Sequence, residues 1–254
     1  MRTSRRLGSL LLRAGTLAPV IAGLCLVAAS AQTTPSAAPP AVPQPPPATR
    51  LIVVLDAAHG GDDIGARLNG ESEKELTLAL SVRLRSLLAA RGFQVVTTRE
   101  SDATVDDNRR AEIADRSAAL ACLSLHASET GSGIHLFASS LAPAAPTRMP
   151  AWKTAQAAWM TRSLAMAGVL NSALLHAGLP VTLGRMALPA VDSMTCPALA
   201  IEVAPLPAKE GGVATKVDDP GYLAQVAGAL SAAMLEWKTE AHQPETRQTE
   251  VHQP

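Results

Sequence analysis

LIVVLDAAHGG, Leu51 to Gly61, is the stretch on which the reading of this chain turns. Branched apolar residues run into a carboxylate, two alanines, a histidine and a glycine pair. A short apolar run closed by a glycine turn predicts a buried strand. His59 is then delivered to the strand's carboxyl end, where open α/β sheets place their ligands. Gly60 and Gly61 let the backbone turn tightly and leave room beside the ring. A histidine after a strand is more often structural than functional, so the reading of His59 depends on the residues that join it.

The next segment supplies a helix. Ser72 followed by Glu75 is a capping-box signature, and Leu76, Leu80, Leu84, Leu87 and Leu88 recur at helical spacing before Gly92 ends the run. Glu73 falls at the first helical position. It either complements the helix dipole or, one loop from His59, shares a cation with it. Gln94 to Thr98 predicts a second strand, and a helix carrying Arg110 follows. Leu120 to Leu125 (LACLSL) is a third apolar strand, again ending in a histidine, His126.

Gly133 to Ser139 predicts a further strand, with His135 as an ordinary sheet residue. Leu141 to Pro150 reads as a Pro/Ala loop and Ala151 to Gly178 as one helix, with Trp152 and Trp159 as a packing stripe. Ala198 to Val203 predicts another strand. Glu202 lies within it among apolar neighbours, where a carboxylate must be paired, hydrogen-bonded or neutral. A closing helix spans Asp219 to Lys238. Strands alternating with helices predict an α/β fold: a single domain with a twisted, mostly parallel sheet flanked by helices on both faces.

The ends of the 254-residue chain differ from this middle. Residues 1–31 read as a secretory signal. Arg2, Arg5, Arg6 and Arg13 precede an apolar run, Leu17 to Ala29, and Ala29-Ser30-Ala31 supplies the small-x-small site. A retained anchor is the alternative, though the run is short for a span, which needs about 20 residues. Export is expected, to a periplasm or, as the alternative, to the cell wall or the outside of the cell, with no stable membrane span after cleavage. Residues 32–49 are a Pro/Ala-rich linker, residues 50–238 the domain, and residues 239–254, with TEAHQP repeated as TEVHQP, a disordered tail.

Cleavage takes four Arg and no acid from 22 basic and 22 acidic residues, leaving 18 against 22, a net charge of −4. With no basic cluster, nucleic-acid binding is not expected. Six aromatics in the whole chain leave the core to Leu, Val, Ile and Ala. Cys122 and Cys196 could pair after export or remain two buried thiols; geometry decides.

His59, Glu73 and His126 make a three-ligand set that suits Zn2+, one per chain, with a fourth position open. Glu202 is the candidate catalytic base, taking a proton from water and passing it to a leaving amine. Together they describe metal-assisted amide hydrolysis. No H-E-x-x-H helix and no G-x-S-x-G elbow is present.

The blocks DAAHGGDDIGARLNGESEK, TRESD, RRAEIAD, LSLHAS and PALAIEV, in that order over residues 51 to 237, resemble the zinc-dependent N-acetylmuramoyl-L-alanine amidases of the type-3 amidase family. The resemblance implies a largely parallel sheet with flanking helices, one catalytic zinc, and cleavage of the amide between N-acetylmuramic acid and L-alanine in peptidoglycan. It implies His59, Glu73 and His126 as zinc ligands and Glu202 as catalytic glutamate. Arg110 and Ser128 stand as candidate substrate contacts. Four places depart from the family pattern: Ala58, Asp115, Ser128 and Val203-Ala204-Pro205. They are expected in the pocket walls. No wall-binding repeat is visible, so targeting rests on the domain or on a protein activator. A wall-binding protein weakened in catalysis, and a zinc amidohydrolase of other specificity, are the competing readings.

Overall fold

The computed structural model describes residues 51–68, 70–145, 152–208 and 212–241. The expected signal, the linker and residues 242–254 of the tail lie outside the described residues. The chain divides into two units, Met1–Pro46 and Pro47–Pro254, and the fold below belongs to the second.

The elements are β1 (Ile52–Ala57), the two-residue strands β2 (Arg67–Leu68) and β3 (Glu71–Ser72), α1 (Glu73–Ala90), β4 (Gln94–Thr97), α2 (Asp107–Ser117), β5 (Ala121–Ala127) and β6 (Ile134–Ser139). A 3-10 segment, Trp152–Ala158, precedes α3 (Met160–His176), β7 (Val181–Met186), the single turn α4 (Pro189–Asp192), β8 (Ala198–Val203) and α5 (Pro220–Ala241). Six strands form one sheet in the order β4-β1-β5-β8-β6-β7. All neighbours are parallel except β6 against β8. The expected α/β architecture holds.

Side chains alternate across a strand, and the two faces have different cores. Val53, Leu55, Leu123, Leu125, Leu199 and Ile201 face α1, α3 and α5 in the larger core, with α5 lying between the other two helices. On α1, Leu76, Leu80, Leu84 and Leu88 are at most 2% exposed, each worth about 1.5–3 kcal/mol when fully buried. Glu75 starts that helix by accepting both the Ser72 N–H and hydroxyl. The buried rings satisfy their polar tips: Trp237 Nε1 donates to Leu120 O and Tyr222 hydroxyl to Ala204 O.

The opposite face carries a smaller core of Val54, Ala111, Ala114, Cys122, Val191, Met194, Cys196 and Ala198, under α2 and α4. These helices cover only part of the sheet. Further along β1, β5 and β8 the same face presents Asp56, Ser124, His126 and Glu202, in adjacent register. The site is built there.

Cys122 and Cys196 are joined by a disulfide across 74 residues of sequence. Closing a loop of that length removes roughly 4 kcal/mol of conformational entropy from the unfolded chain. The bond fastens β5 to the approach of β8, the two strands that carry His126 and Glu202.

Three expectations change. Ala151 to Gly178 is not one helix: Thr154 leaves helical geometry (φ −134°, ψ 20°). Gln156 there is buried and donates to Met194 O and Cys196 O while accepting from Ser163, so the segment turns inward to hold the approach to β8. Second, β7 and α4 have no counterpart in the sequence reading. β7 is an edge strand whose residues are exposed or half-buried, which removes the apolar alternation that would mark it. Third, α5 continues to Ala241, into the first residues assigned to the tail. Among the described residues, no helix is long and apolar enough to cross a membrane.

Candidate metal and catalytic site

Ala58 continues the β1–β5 ladder by donating its N–H to Leu125 O, and the chain then breaks at His59, whose φ is +61°. A left-handed conformation is costly for a residue with a Cβ, and the surroundings hold it. Arg110 Nη2 donates to His59 O at 2.8 Å, and His59 Nδ1 donates to Asp63 Oδ2 at 2.8 Å. Of the following glycines, Gly60 donates its N–H to Asp63 O, and Gly61 is pinned by Lys74, whose ammonium reaches both Gly61 O and Asp102, while Asp102 accepts from Gly61 N–H.

Glu73, at the start of α1, stands between the two strand-end histidines. Its Oε2 lies 3.1 Å from His59 Nε2, and its Oε1 lies 3.1 Å from His126 Nδ1. Backbone N–H groups of Ala66 and Ala127 donate to the same two oxygens. One ligand atom from each of His59, Glu73 and His126 falls within 4.8 Å of the others. Burial pushes the Glu73 carboxyl up, but the His126, His59, Ala66 and Ala127 hydrogen bonds outweigh it, and the group sits well below the usual carboxylate range. The hydrogen bond to Glu73, opposed by burial and assisted by Asp63, raises His59 to about 8. The cluster therefore holds positive charge around a fixed anion at neutral pH, and a bound cation would take the proton's place.

The donor set fits a tetrahedral N/O metal with an open position. Both imidazoles also have the outer partners such ligands need. His59 faces Glu73 through Nε2 and Asp63 through Nδ1. His126 faces Glu73 through Nδ1, while its Nε2 lies 3.4 Å from Ser124 Oγ, which donates to Asp56. Gly65, with φ +63°, closes the site from the β1–β2 loop: a Cβ there would stand 2.6 Å from His59 Cδ2 and 2.7 Å from Glu73 Oε2. Gly65→Ala is expected to lower metal affinity at least tenfold and to cost roughly 1–2 kcal/mol of stability through the left-handed φ, checked by metal-competition titration and a melting curve.

Asp56 is 1% exposed and accepts from Thr98 Oγ1, Ser124 Oγ and Arg110 Nη1. Arg110 further donates to Val105 O, Ala57 O and His59 O. Although it lines the larger cavity of the site, of about 340 Å³, most of its donors serve the protein. Those donors hold the strand-end turn, while the side chain still borders the cavity. Ser128, the other candidate contact, shares its hydroxyl with Thr130.

Glu202 is less buried than the sequence implies, at 29% exposed. It is the Cα partner of His126 and the two share a second cavity, of about 100 Å³, with Phe137, Met186, Leu188 and Ala200. The pairing a strand carboxylate requires comes from His135, whose Nδ1 lies 2.8 Å from Glu202 Oε1. The sequence reading left His135 as a plain sheet residue; only the β6–β8 register brings it to Glu202.

Of the departures from the family pattern, Ala58 lines the larger cavity. Asp115 instead accepts from Thr195 N and Oγ1, Val203 O takes the Ser128 N–H, and Ala204 O takes the Tyr222 hydroxyl. Each has a local role, and none displaces a ligand or Glu202.

Two imidazoles and a carboxylate beside a second carboxylate outside the set, at the carboxyl ends of sheet strands, are the parts a metal-dependent hydrolase needs. The comparisons give the family: residues 53–236 match the model for N-acetylmuramoyl-L-alanine amidase, and the chain belongs to that family. It is 40% identical over 77 residues to the N-acetylmuramoyl-L-alanine amidase AmiA of Escherichia coli K12. That match covers 30% of this chain and 27% of the relative, so only about a quarter of AmiA is spanned. The catalytic domain of the amidase CwlV from Bacillus (Paenibacillus) polymyxa superposes with a TM-score of 0.58 at 22% identity, covering 74% of this chain and 98% of that one. The CwlD amidase of Clostridioides difficile, solved in complex with the GerS lipoprotein, gives 0.57 at 19% identity, covering 75% and 100%. At these identities the solved structures speak to the fold alone.

Proposed function

We propose that this chain is an exported, zinc-dependent N-acetylmuramoyl-L-alanine amidase acting on peptidoglycan. The observation that carries the reading is the convergence of His59, Glu73 and His126 within 4.8 Å, beside Glu202, in a chain of this family. His59 Nε2, His126 Nδ1 and a Glu73 oxygen would hold the zinc, which when bound supplies a Lewis acid for the substrate carbonyl and makes water a better nucleophile at neutral pH.

The remaining work falls to the chain. Asp63 and Ser124 fix the ring orientations of the two histidines, and the Ala66 and Ala127 N–H groups, which do not compete for the metal, favour the charged form of Glu73. Glu202 receives one proton from the attacking water as the C–O bond forms at the lactyl carbonyl. It returns that proton to the departing nitrogen as the C–N bond breaks, so L-alanine leaves as a free amine. A protein partner is part of this reading, since the CwlD amidase is found in complex with the GerS lipoprotein.

Digestion of purified peptidoglycan followed by mass spectrometry tests the assignment. Stem peptides with free N-terminal L-alanine and intact glycan strands are the expected products. Cleavage elsewhere in the stem would make it an amidohydrolase of other specificity, and intact sacculi carrying bound protein would make it a wall-binding protein.

A further inference from the structure

The base proposed for this reaction does not stand alone on β8. Across the antiparallel β6–β8 ladder its Cα partner is His135, and His135 Nδ1 lies 2.8 Å from Glu202 Oε1. The imidazole is 15% exposed and the carboxylate 29%, so the ring lies toward the protein and the acid toward the cleft. On its other side Glu202 is the parallel partner of His126, and the two share the 100 Å³ cavity. The carboxylate is flanked by one imidazole of the metal set and one outside it.

The His135 ring is held on two further sides. Phe137, on the same face of β6, meets it edge-on with centroids 6.1 Å apart. The loop before β6 closes over it at Gly131, where φ is +86° and a Cβ would stand 2.3 Å from His135 Cε1 and 2.9 Å from Nε2. Only glycine allows that approach.

We propose that His135 is a positioning residue: its Nδ1–H fixes Glu202 Oε1 and leaves Oε2 as the free proton acceptor on the His126 side. The proposal rests on Glu202 being the base. A glutamate on a strand has three rotatable bonds, and few of its rotamers bring an oxygen within hydrogen-bond reach of one attacking water. Among the described residues no protein donor reaches Oε2. The hydrogen bond from a ring caged by Gly131 and Phe137 removes the unproductive rotamers before substrate arrives.

The experiment compares wild type, Glu202→Gln, His135→Ala, His135→Asn and His135→Gln on peptidoglycan, recording kcat, KM and bound zinc. An Asn amide can take the place of Nδ1, whereas a Gln amide falls nearer Nε2. His135→Ala and His135→Gln are expected to lose about 10- to 100-fold in kcat at unchanged KM and zinc content, with His135→Asn within about threefold of wild type. Equal kcat in all three would overturn the proposal. So would His135→Asn as slow as His135→Gln, which would make the imidazole itself the proton carrier. If the alanine variant does not fold, the Asn–Gln contrast decides. An inactive wild type would instead sink the amidase reading beneath it, and an undiminished Glu202→Gln the assignment of Glu202 as base.

Discussion

Glu202→Gln is expected to keep its fold and its zinc while losing roughly 10²–10⁴-fold in amide hydrolysis. The substitution preserves shape and an oxygen that can accept from His135, but it removes the site that takes a proton from water. Glu202 lies on β8, apart from the His59–Glu73–His126 set, so the metal should stay. Metal analysis alongside kcat checks both halves. A variant that lost its zinc together with its activity would make Glu202 a ligand and the role given to it wrong.

The second large effect concerns stability. Arg110→Met is expected to cost about 3–5 kcal/mol, because it leaves the Asp56 carboxylate buried without its cationic partner. Arg110 and Asp56 side chains are 5% and 2% exposed, and Thr98 and Ser124 alone would then face the acid. The same change frees Ala57 O and His59 O, so the left-handed turn at His59 loses a brace. Urea unfolding of the purified domain measures the loss. A change below about 1 kcal/mol would show that Asp56 is neutralised or solvated, and that Arg110 is free to serve the substrate after all.

Much of the site was legible in the sequence because its parts sit at punctuated positions. His59 follows a strand and precedes a glycine pair, Glu73 follows a capping serine, and His126 ends an apolar strand. Each signal is local, and the α/β sheet brings all three to the carboxyl ends of β1 and β5. Asp63, Gly65 and His135 were not legible. The partnership of Asp63 with His59 depends on a turn with positive φ at His59. The role of Gly65 is visible only once His59 and Glu73 close around it. His135 needs a register in which β6 runs against β8, the one antiparallel pair of the sheet. The partial exposure of Glu202 has a related cause. Its neighbours along β8 are apolar, but the face it points from is covered by α2 and α4 only over the first part of the strands. β7 escaped because an exposed edge strand needs no apolar alternation. The disulfide is a further case: the sequence left Cys122 and Cys196 free or paired, and the approach of β8 to β5 joins them.

The most direct test of the central claim is the activity of chelator-stripped protein on peptidoglycan as zinc is returned in measured equivalents. Release of stem peptides with a free L-alanine amine should be absent without metal. It should rise linearly to a break at one zinc per chain, and the same break should be lost when His126 is replaced by alanine. Full release by metal-free protein, or a zinc-loaded protein that leaves the amide intact, would contradict the account.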